Sequence, residues 1–250
     1  PGRTLSVLRG HTLGVPSAAF SPDGTRIVTA SWDGSVRLWD EEGRLLAAVE
    51  EHTESVRSVA FSPDGTRIVT ASDDGTARIW SDVGQLIAIL EGHTGTVVSV
   101  TFSPDGTRVI TAGGDGTARL WDATGQPLAI LEGHTDIVNS AAFSPDGMRI
   151  VTAGNDGTIR LWDSAGQSLG VMEGHTGAVY SATFSSNGAR IITAGWDGTA
   201  RLWDGTGQSL AILEGHTDSV ISAAFSADGT RIVTGSVDGT VRLWDGSGQP

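Results

Sequence analysis

The sequence predicts an all-β protein built from six copies of one four-stranded antiparallel sheet. The first observation is a spacing: the only histidines, His11, His52, His93, His134, His175 and His216, are 41 residues apart. The second is that the six phenylalanines, Phe20, Phe61, Phe102, Phe143, Phe184 and Phe225, keep the same step. So do six of the eight tryptophans, Trp39, Trp80, Trp121, Trp162, Trp203 and Trp244. The third is that turn signals recur at short intervals while helical periodicity appears nowhere. Six copies of 41 residues account for all but four of the 250, with no linker or composition shift, so a single domain over residues 1–250 is expected.

The copy that starts at His134 shows each element in turn. "VNSAAFS" reads as a short apolar strand ending at Ser144. Pro145, Asp146 and Gly147 form a turn, the proline presetting φ and the glycine supplying φ > 0. "MRIVTAG" is a second strand, closed by Asn155, Asp156 and Gly157, a tight hairpin signal. "TIRLWD" is the third strand, "SAG" a loop, and "QSLGVMEG" the fourth strand. One such sheet leaves two apolar faces bare. Radial stacking of the copies covers them, which is the propeller solution.

Composition limits the chemistry. With no cysteine and no lysine, disulfides, zinc thiolates, cysteine nucleophiles and Schiff-base lysines are out of reach. The net charge of −13 argues against nucleic acid or an anionic membrane as partner, since both reward a basic face. No apolar run approaches the roughly 20 residues of a membrane helix, and "PGRTLSVLRG" does not read as a signal peptide. A soluble, cytoplasmic protein is expected. No Walker loop, GxGxxG or HExxH occurs, and one histidine per copy leaves no pair to share a metal ion. No cofactor and no metal are therefore expected.

"GH" at the start of each copy, "DG" in its second hairpin and "WD" at the end of its third strand resemble WD40 repeats. "GHTDIVNSAAFSPDGMRIVTAGNDGTIRLWD" in the fourth copy shows all three. The resemblance covers the whole chain and implies a WD40-type β-propeller of six four-stranded blades. The last copy stops at "WDGSGQP", after its third strand, while "TLSVLRG", Thr4 to Gly10, aligns with fourth-strand segments such as "PLAILEG". The N-terminal strand is expected to complete the last blade, as is common in such propellers, sparing the ring two edges. A ring closed in this way is expected to be a monomer; otherwise an oligomer shares blades.

Histidine, threonine and aspartate together suggest a nucleophilic triad. The set recurs in every copy, however, as Thr29 and Asp33, Thr70 and Asp74, Thr111 and Asp115, Thr152 and Asp156, Thr193 and Asp197, and Thr234 and Asp238. An enzyme needs one exposed nucleophile rather than six equivalent ones. The resemblance implies instead a hydrogen-bonded chain of tryptophan N–H, threonine, histidine and aspartate in each blade. Two evenly spread arginine sets are expected on solvated or salt-bridged strand faces. One is Arg37, Arg78, Arg119, Arg160, Arg201 and Arg242; the other is Arg26, Arg67, Arg108, Arg149, Arg190 and Arg231. In the second copy Glu51 replaces the glycine before His52 and Ser81 the aspartate after Trp80, which is expected to weaken local turns.

Comparison of the copies with one another points to the binding candidates. Val15, Ser17, Phe20, Ser21, Gly24 and their counterparts are identical in all six. Five residues after the histidine stand Pro16, Arg57, Val98, Asn139, Tyr180 and Ile221, six different types. Just before the aspartate stand Trp32, Asp73, Gly114, Asn155, Trp196 and Val237. The resemblance places such positions on the top face, where partners dock, and tryptophan, tyrosine and arginine are types enriched at binding hot spots. The leading expectation is a non-enzymatic docking platform for a protein or peptide. Its alternatives are a recently amplified or engineered structural repeat with no partner and, remotely, a six-bladed hydrolase.

Overall fold

The structure is a computed structural model and describes residues 4–249. It is all-β, with 23 strands in six separate antiparallel sheets among the described residues. The first sheet holds β1 (Ser17–Phe20), β2 (Arg26–Ala30), β3 (Val36–Asp40) and β4 (Leu45–Val49). The second holds β5 (Val56–Phe61), β6 (Arg67–Ser72), β7 (Ala77–Ser81) and β8 (Leu86–Leu90), and the third β9 (Val97–Phe102), β10 (Arg108–Gly113), β11 (Ala118–Asp122) and β12 (Pro127–Leu131). The fourth holds β13 (Val138–Phe143), β14 (Arg149–Gly154), β15 (Ile159–Asp163) and β16 (Ser168–Met172). The fifth holds β17 (Val179–Phe184), β18 (Arg190–Gly195), β19 (Ala200–Asp204) and β20 (Ser209–Leu213). The sixth has three strands, β21 (Val220–Phe225), β22 (Arg231–Ser236) and β23 (Val241–Asp245). Every sheet is a meander with its strands in chain order.

The chain divides into two compact units, Pro1–Gly113 with Trp121–Pro127, and Gly114–Leu120 with Leu128–Pro250. Within each unit the second strands are the most buried, Arg149–Gly154 losing solvent at five of six residues. That burial explains why "RIVTAG" reads as an unbroken apolar run rather than an alternation. In the second unit Val151, Ile159 and Leu161 of the fourth sheet meet Val179, Ala182 and Phe184 of the fifth in one core cluster. In the first unit Val28, Val36 and Leu38 of the first sheet meet Val56, Val59 and Ile68 of the second. Fourth strands are half exposed, since only one flank of each is covered.

The turns follow from their residues. Ser144 Oγ donates to Asp146 Oδ1 at 2.5 Å and accepts from Arg149 N at 2.9 Å, while Gly147 takes φ 68°. This serine-aspartate clasp recurs in the other "SPDG" turns, and it holds Asp64 and Asp105 at a pKa of about 2 through the hydroxyls of Ser62 and Ser103.

One expectation is corrected here. β23 is the edge of a three-stranded sheet, and residues 4–10 form no strand. Instead, Ser6 and Leu8 lie against Gly43, where an added Cβ would come within 2.7 Å of each. Ala47 and Val49 lie against Gly84 in the same way. The segment thus has a fourth strand's side-chain seat but no ladder of backbone partners, and without that ladder an extended segment is not a strand. Leu5 and Val7 are consequently exposed.

Candidate functional site

The hydrogen-bonded set comes together inside each sheet. In the fourth copy Trp162 Nε1 donates to Thr152 Oγ1 at 3.0 Å, His134 Nε2 lies 2.9 Å from the same hydroxyl, and His134 Nδ1 lies 3.0 Å from Asp156 Oδ2. The same links join Trp39, Thr29, His11 and Asp33. They join Trp80, Thr70, His52 and Asp74, then Trp203, Thr193, His175 and Asp197, and Trp244, Thr234, His216 and Asp238. In the third copy Thr111 Oγ1 is 2.8 Å from His93 Nε2 and 3.0 Å from Trp121 Nε1, and Asp115 accepts from the Thr117 hydroxyl at 2.8 Å.

The donors fix the proton order. A tryptophan N–H can only donate, so the threonine oxygen accepts and passes its own proton to histidine Nε2. The imidazole then carries its proton on Nδ1 and donates it to the carboxylate. Burial pushes His52, His134 and His175 below the ordinary histidine value, against the pull of their carboxylates, and keeps them neutral. Burial acts to raise Asp74, but hydrogen bonds from Thr76 and His52 outweigh it and bring the carboxyl to about 2. The threonine after each "DG", Thr158 in the fourth copy, is a member that the sequence reading missed. Its hydroxyl and N–H reach Asp156 Oδ1 at 2.8 and 2.9 Å, and the repeat of serine or threonine at this position was the available signal. Such a set has no reactive end: the Thr70, Thr152 and Thr193 hydroxyls are fully buried.

The variable residues gather at the end of each sheet where the histidine turn meets the second hairpin. Trp196 N donates to Ala178 O at 2.8 Å, Asn155 N to Ile137 O at 2.8 Å and Asp73 N to Ser55 O at 2.9 Å. Residues five after the histidine fall on a β-bulge: pairing skips Arg57 between Val56 and Ser58, Asn139 between Val138 and Ser140, Tyr180 between Val179 and Ser181, and Ile221 between Val220 and Ser222. A bulged residue is left out of the ladder and its side chain is re-aimed. That geometry makes these positions permissive, and period-two patterning cannot show it.

Two candidate pairs satisfy each other. Arg57 grips Asp73 through Nε and Nη2 at 2.6 and 2.9 Å, a contact that raises the arginine further above its ordinary value. Asn139 Nδ2 donates to Asn155 Oδ1 at 2.7 Å and to Val179 O at 3.0 Å. Tyr180 is half-buried. The exposed apolar candidates are Trp196 at 60%, Val237 at 59%, Ile221 at 51% and Trp32 at 49%. Both tryptophans rest on glycine, Trp32 against Gly14 and Trp196 against Gly177. Beside Trp196 opens a cleft of about 430 Å³, bounded by Thr176, Asp197, His216, Thr217, Asp218 and Ser219. Asp218 is exposed there, and Ser219 Oγ donates to Trp196 O at 3.3 Å.

The arginines depart from a simple solvated face. Arg149 stacks 5.3 Å over the Phe184 ring and donates to the carbonyls of Gly188 at 2.8 Å and Gly205, so it clamps the fourth sheet to the fifth. Arg26 and Arg67 do the same with Phe61 and Phe102. Their partners lie 35 to 56 residues onward, beyond any local pattern. In the second copy Glu51 pairs with Arg78 at 3.8 Å, and Ser81 Oγ accepts from Gln85 N at 3.1 Å as Asp122 Oδ1 does from Gln126 N at 3.0 Å. Serine thereby preserves the turn in weaker form.

Among the described residues no helix is long and apolar enough to cross a membrane, and no group of three or more histidines and acids is placed to hold a metal. Comparison with known proteins adds short matches. A stretch of 38 residues, 15% of this chain, is 47% identical to a protein named ribosome biogenesis protein WDR12 homolog from Drosophila persimilis, and covers 9% of that protein. The rice protein of the same name, from Oryza sativa subsp. japonica, is 49% identical over 37 residues, 15% of this chain and 8% of that protein. The repeat described as WD domain, G-beta repeat matches residues 2–40, 43–81, 84–122, 125–163, 166–204 and 207–245. With sheets, turns and matches coinciding six times, the chain belongs to the WD40 repeat family.

Proposed function

We propose that residues 1–250 act as one non-enzymatic docking domain for a protein or peptide partner, through the rim that carries Trp196, Ile221 and Val237. The observation that carries this reading is Trp196 itself. A large indole stands 60% exposed on a glycine, beside an open cleft and the free carboxylate of Asp218. An aromatic face next to a carboxylate suits a lysine or arginine side chain, and the net charge of −13 favours the approach of a basic segment. The same charge disfavours nucleic acid and anionic membranes. The buried threonines and the absence of a singular acid–base cluster among the described residues support a role without catalysis. The cytoplasm is proposed as its location from the acidic, cysteine-free composition.

A random peptide library panned over the wild-type chain and over a Trp196→Ala, Asp218→Asn variant tests this. Enrichment of basic peptides by the wild type alone is the expected result. Equal enrichment by both, or none, removes the proposal. It then favours the second reading, a repeat with a purely structural role, which the near identity of the copies supports.

A further inference from the structure

Four of the second-strand arginines, Arg26, Arg67, Arg149 and Arg190, each reach a phenylalanine ring and a glycine carbonyl of the following sheet. Arg231 stands at the same position of the sixth sheet, and its guanidinium is exposed with no described partner. On the first sheet the matching acceptors are equally unused. Phe20 is 68% exposed, whereas Phe184 is 8% exposed.

The apolar residues around these groups tell the same story. In the joint between fourth and fifth sheets, Val151, Ile159 and Leu161 are 0%, 0% and 4% exposed, and Val179 opposite them 0%. Their counterparts on the sixth sheet, Val233, Val241 and Leu243, are 40%, 74% and 60% exposed. On the first sheet Val15, the counterpart of Val179, is 47% exposed. Each bare face opens as a groove, about 210 Å³ beside Arg231 and Leu243 and about 480 Å³ beside Phe20 and Ile27. Added to these are the free edge of β23 and the strandless segment 4–10.

We propose that these two faces join two copies of this chain head to tail, the sixth sheet of one against the first sheet of the next. The occupant is fixed by repetition: each bare face has the residues of a face already covered within the chain by its complement. Arg231 of one copy stacks on Phe20 of the next and donates to the carbonyls of Gly24 and Glu41. Val233, Val241 and Leu243 cover Val15, Ala18 and Phe20. Residues 4–10 of the next copy pair with β23 and supply its fourth strand. The contact is heterologous, so it generates a ring if the rotation closes and a filament if it does not. It does not depend on the rim reading, because it uses none of those residues.

The test exploits the absence of native cysteine. Ser140 Oγ lies 3.5 Å from Ala182 N across the fourth-to-fifth joint, and the counterparts are Ser222 and Ala18. Chains with Ser222→Cys alone and Ala18→Cys alone are mixed and oxidised. An interchain disulfide between the two kinds of chain is expected, well above that formed by either kind alone. Light scattering should give masses above 25.8 kDa that rise with concentration. Arg231→Ala should raise the concentration for half assembly about tenfold or more, as loss of charge-assisted hydrogen bonds does. Phe20→Arg, which sets like charges against each other, should abolish assembly with the circular dichroism spectrum unchanged. A mass of 25.8 kDa at every concentration overturns the proposal. So does a doubly substituted chain that crosslinks only within itself, since its own two ends would then be partners.

Discussion

The indole of Trp196 rests on Gly177 so closely that an added Cβ would come within 2.8 Å of its Cε3. Gly177 does not have a positive φ, so alanine is acceptable to the backbone and only the ring has to move. Gly177→Ala should therefore change the exposure and emission of this indole while altering stability by no more than about 0.5 kcal/mol. Acrylamide quenching beside a thermal melt reads both, and an unchanged Trp196 environment would mean the glycine is incidental.

Thr193 is the opposite case. Its hydroxyl serves Trp203 Nε1 at 3.0 Å and His175 Nε2 at 2.8 Å, and it is fully buried. Thr193→Val keeps the shape and leaves two buried nitrogens without a partner, at a cost of about 2–4 kcal/mol. Chemical denaturation should show that loss, whereas Trp196→Ala should leave the midpoint almost unmoved.

Stability should fall on acidification in two stages. His52, His134 and His175 have folded pKa values below the ordinary 6.5, so the unfolded chain binds protons that the folded chain refuses. Their contribution is complete above pH 6.5 and declines as pH drops beneath it. The clasped aspartates, with Asp64, Asp74 and Asp105 near 2, add stability that is present above pH 3.8 and lost as pH falls towards 2. Melting temperatures from pH 8 to pH 2 should descend in both windows; a flat profile between pH 7 and 5 would show the imidazoles to be protonated in the folded protein.

Arg149 ties two sheets by its ring contact and two carbonyls. Arg149→Met keeps the aliphatic stem but removes every donor, and should cost about 1–3 kcal/mol. The same change at Arg231, whose guanidinium has no described partner, should cost the single chain almost nothing. Equal losses at the two positions would refute the clamp.

Ser81→Asp should stabilise the second copy by about 0.5–1 kcal/mol. The Ser81 hydroxyl accepts from Val83 N at 3.4 Å, while Asp122 accepts from Thr124 N at 2.8 Å, and a carboxylate there shortens and strengthens the turn.

What could be read from the sequence was whatever depends on local spacing. The 41-residue step located His134, Thr152, Asp156 and Trp162, and "PDG" and "NDG" located turns at Gly147 and Gly157, where φ is 68° and 79°. Strand limits agreed to within one or two residues, as with Val138–Phe143 for "VNSAAFS". Three things lay outside local spacing. The Arg26 clamp spans 39 and 56 residues, so its partners leave no trace near it. The mutual neutralisation of Arg57 and Asp73 needs a fold to bring residues 16 apart face to face. The aligned pattern of residues 4–10 gave a strand's residues but could not supply the backbone partner that a strand requires.

The bulge at the fifth residue after each histidine has an evolutionary meaning. A position excluded from the ladder can be rewritten without shifting the register of any neighbour. Arginine, asparagine, tyrosine and isoleucine already occupy it at Arg57, Asn139, Tyr180 and Ile221 with the same pairing on either side. A chain that multiplies by copying itself thus has in every new copy a blank address, where a new specificity can be tried while the scaffold is inherited intact.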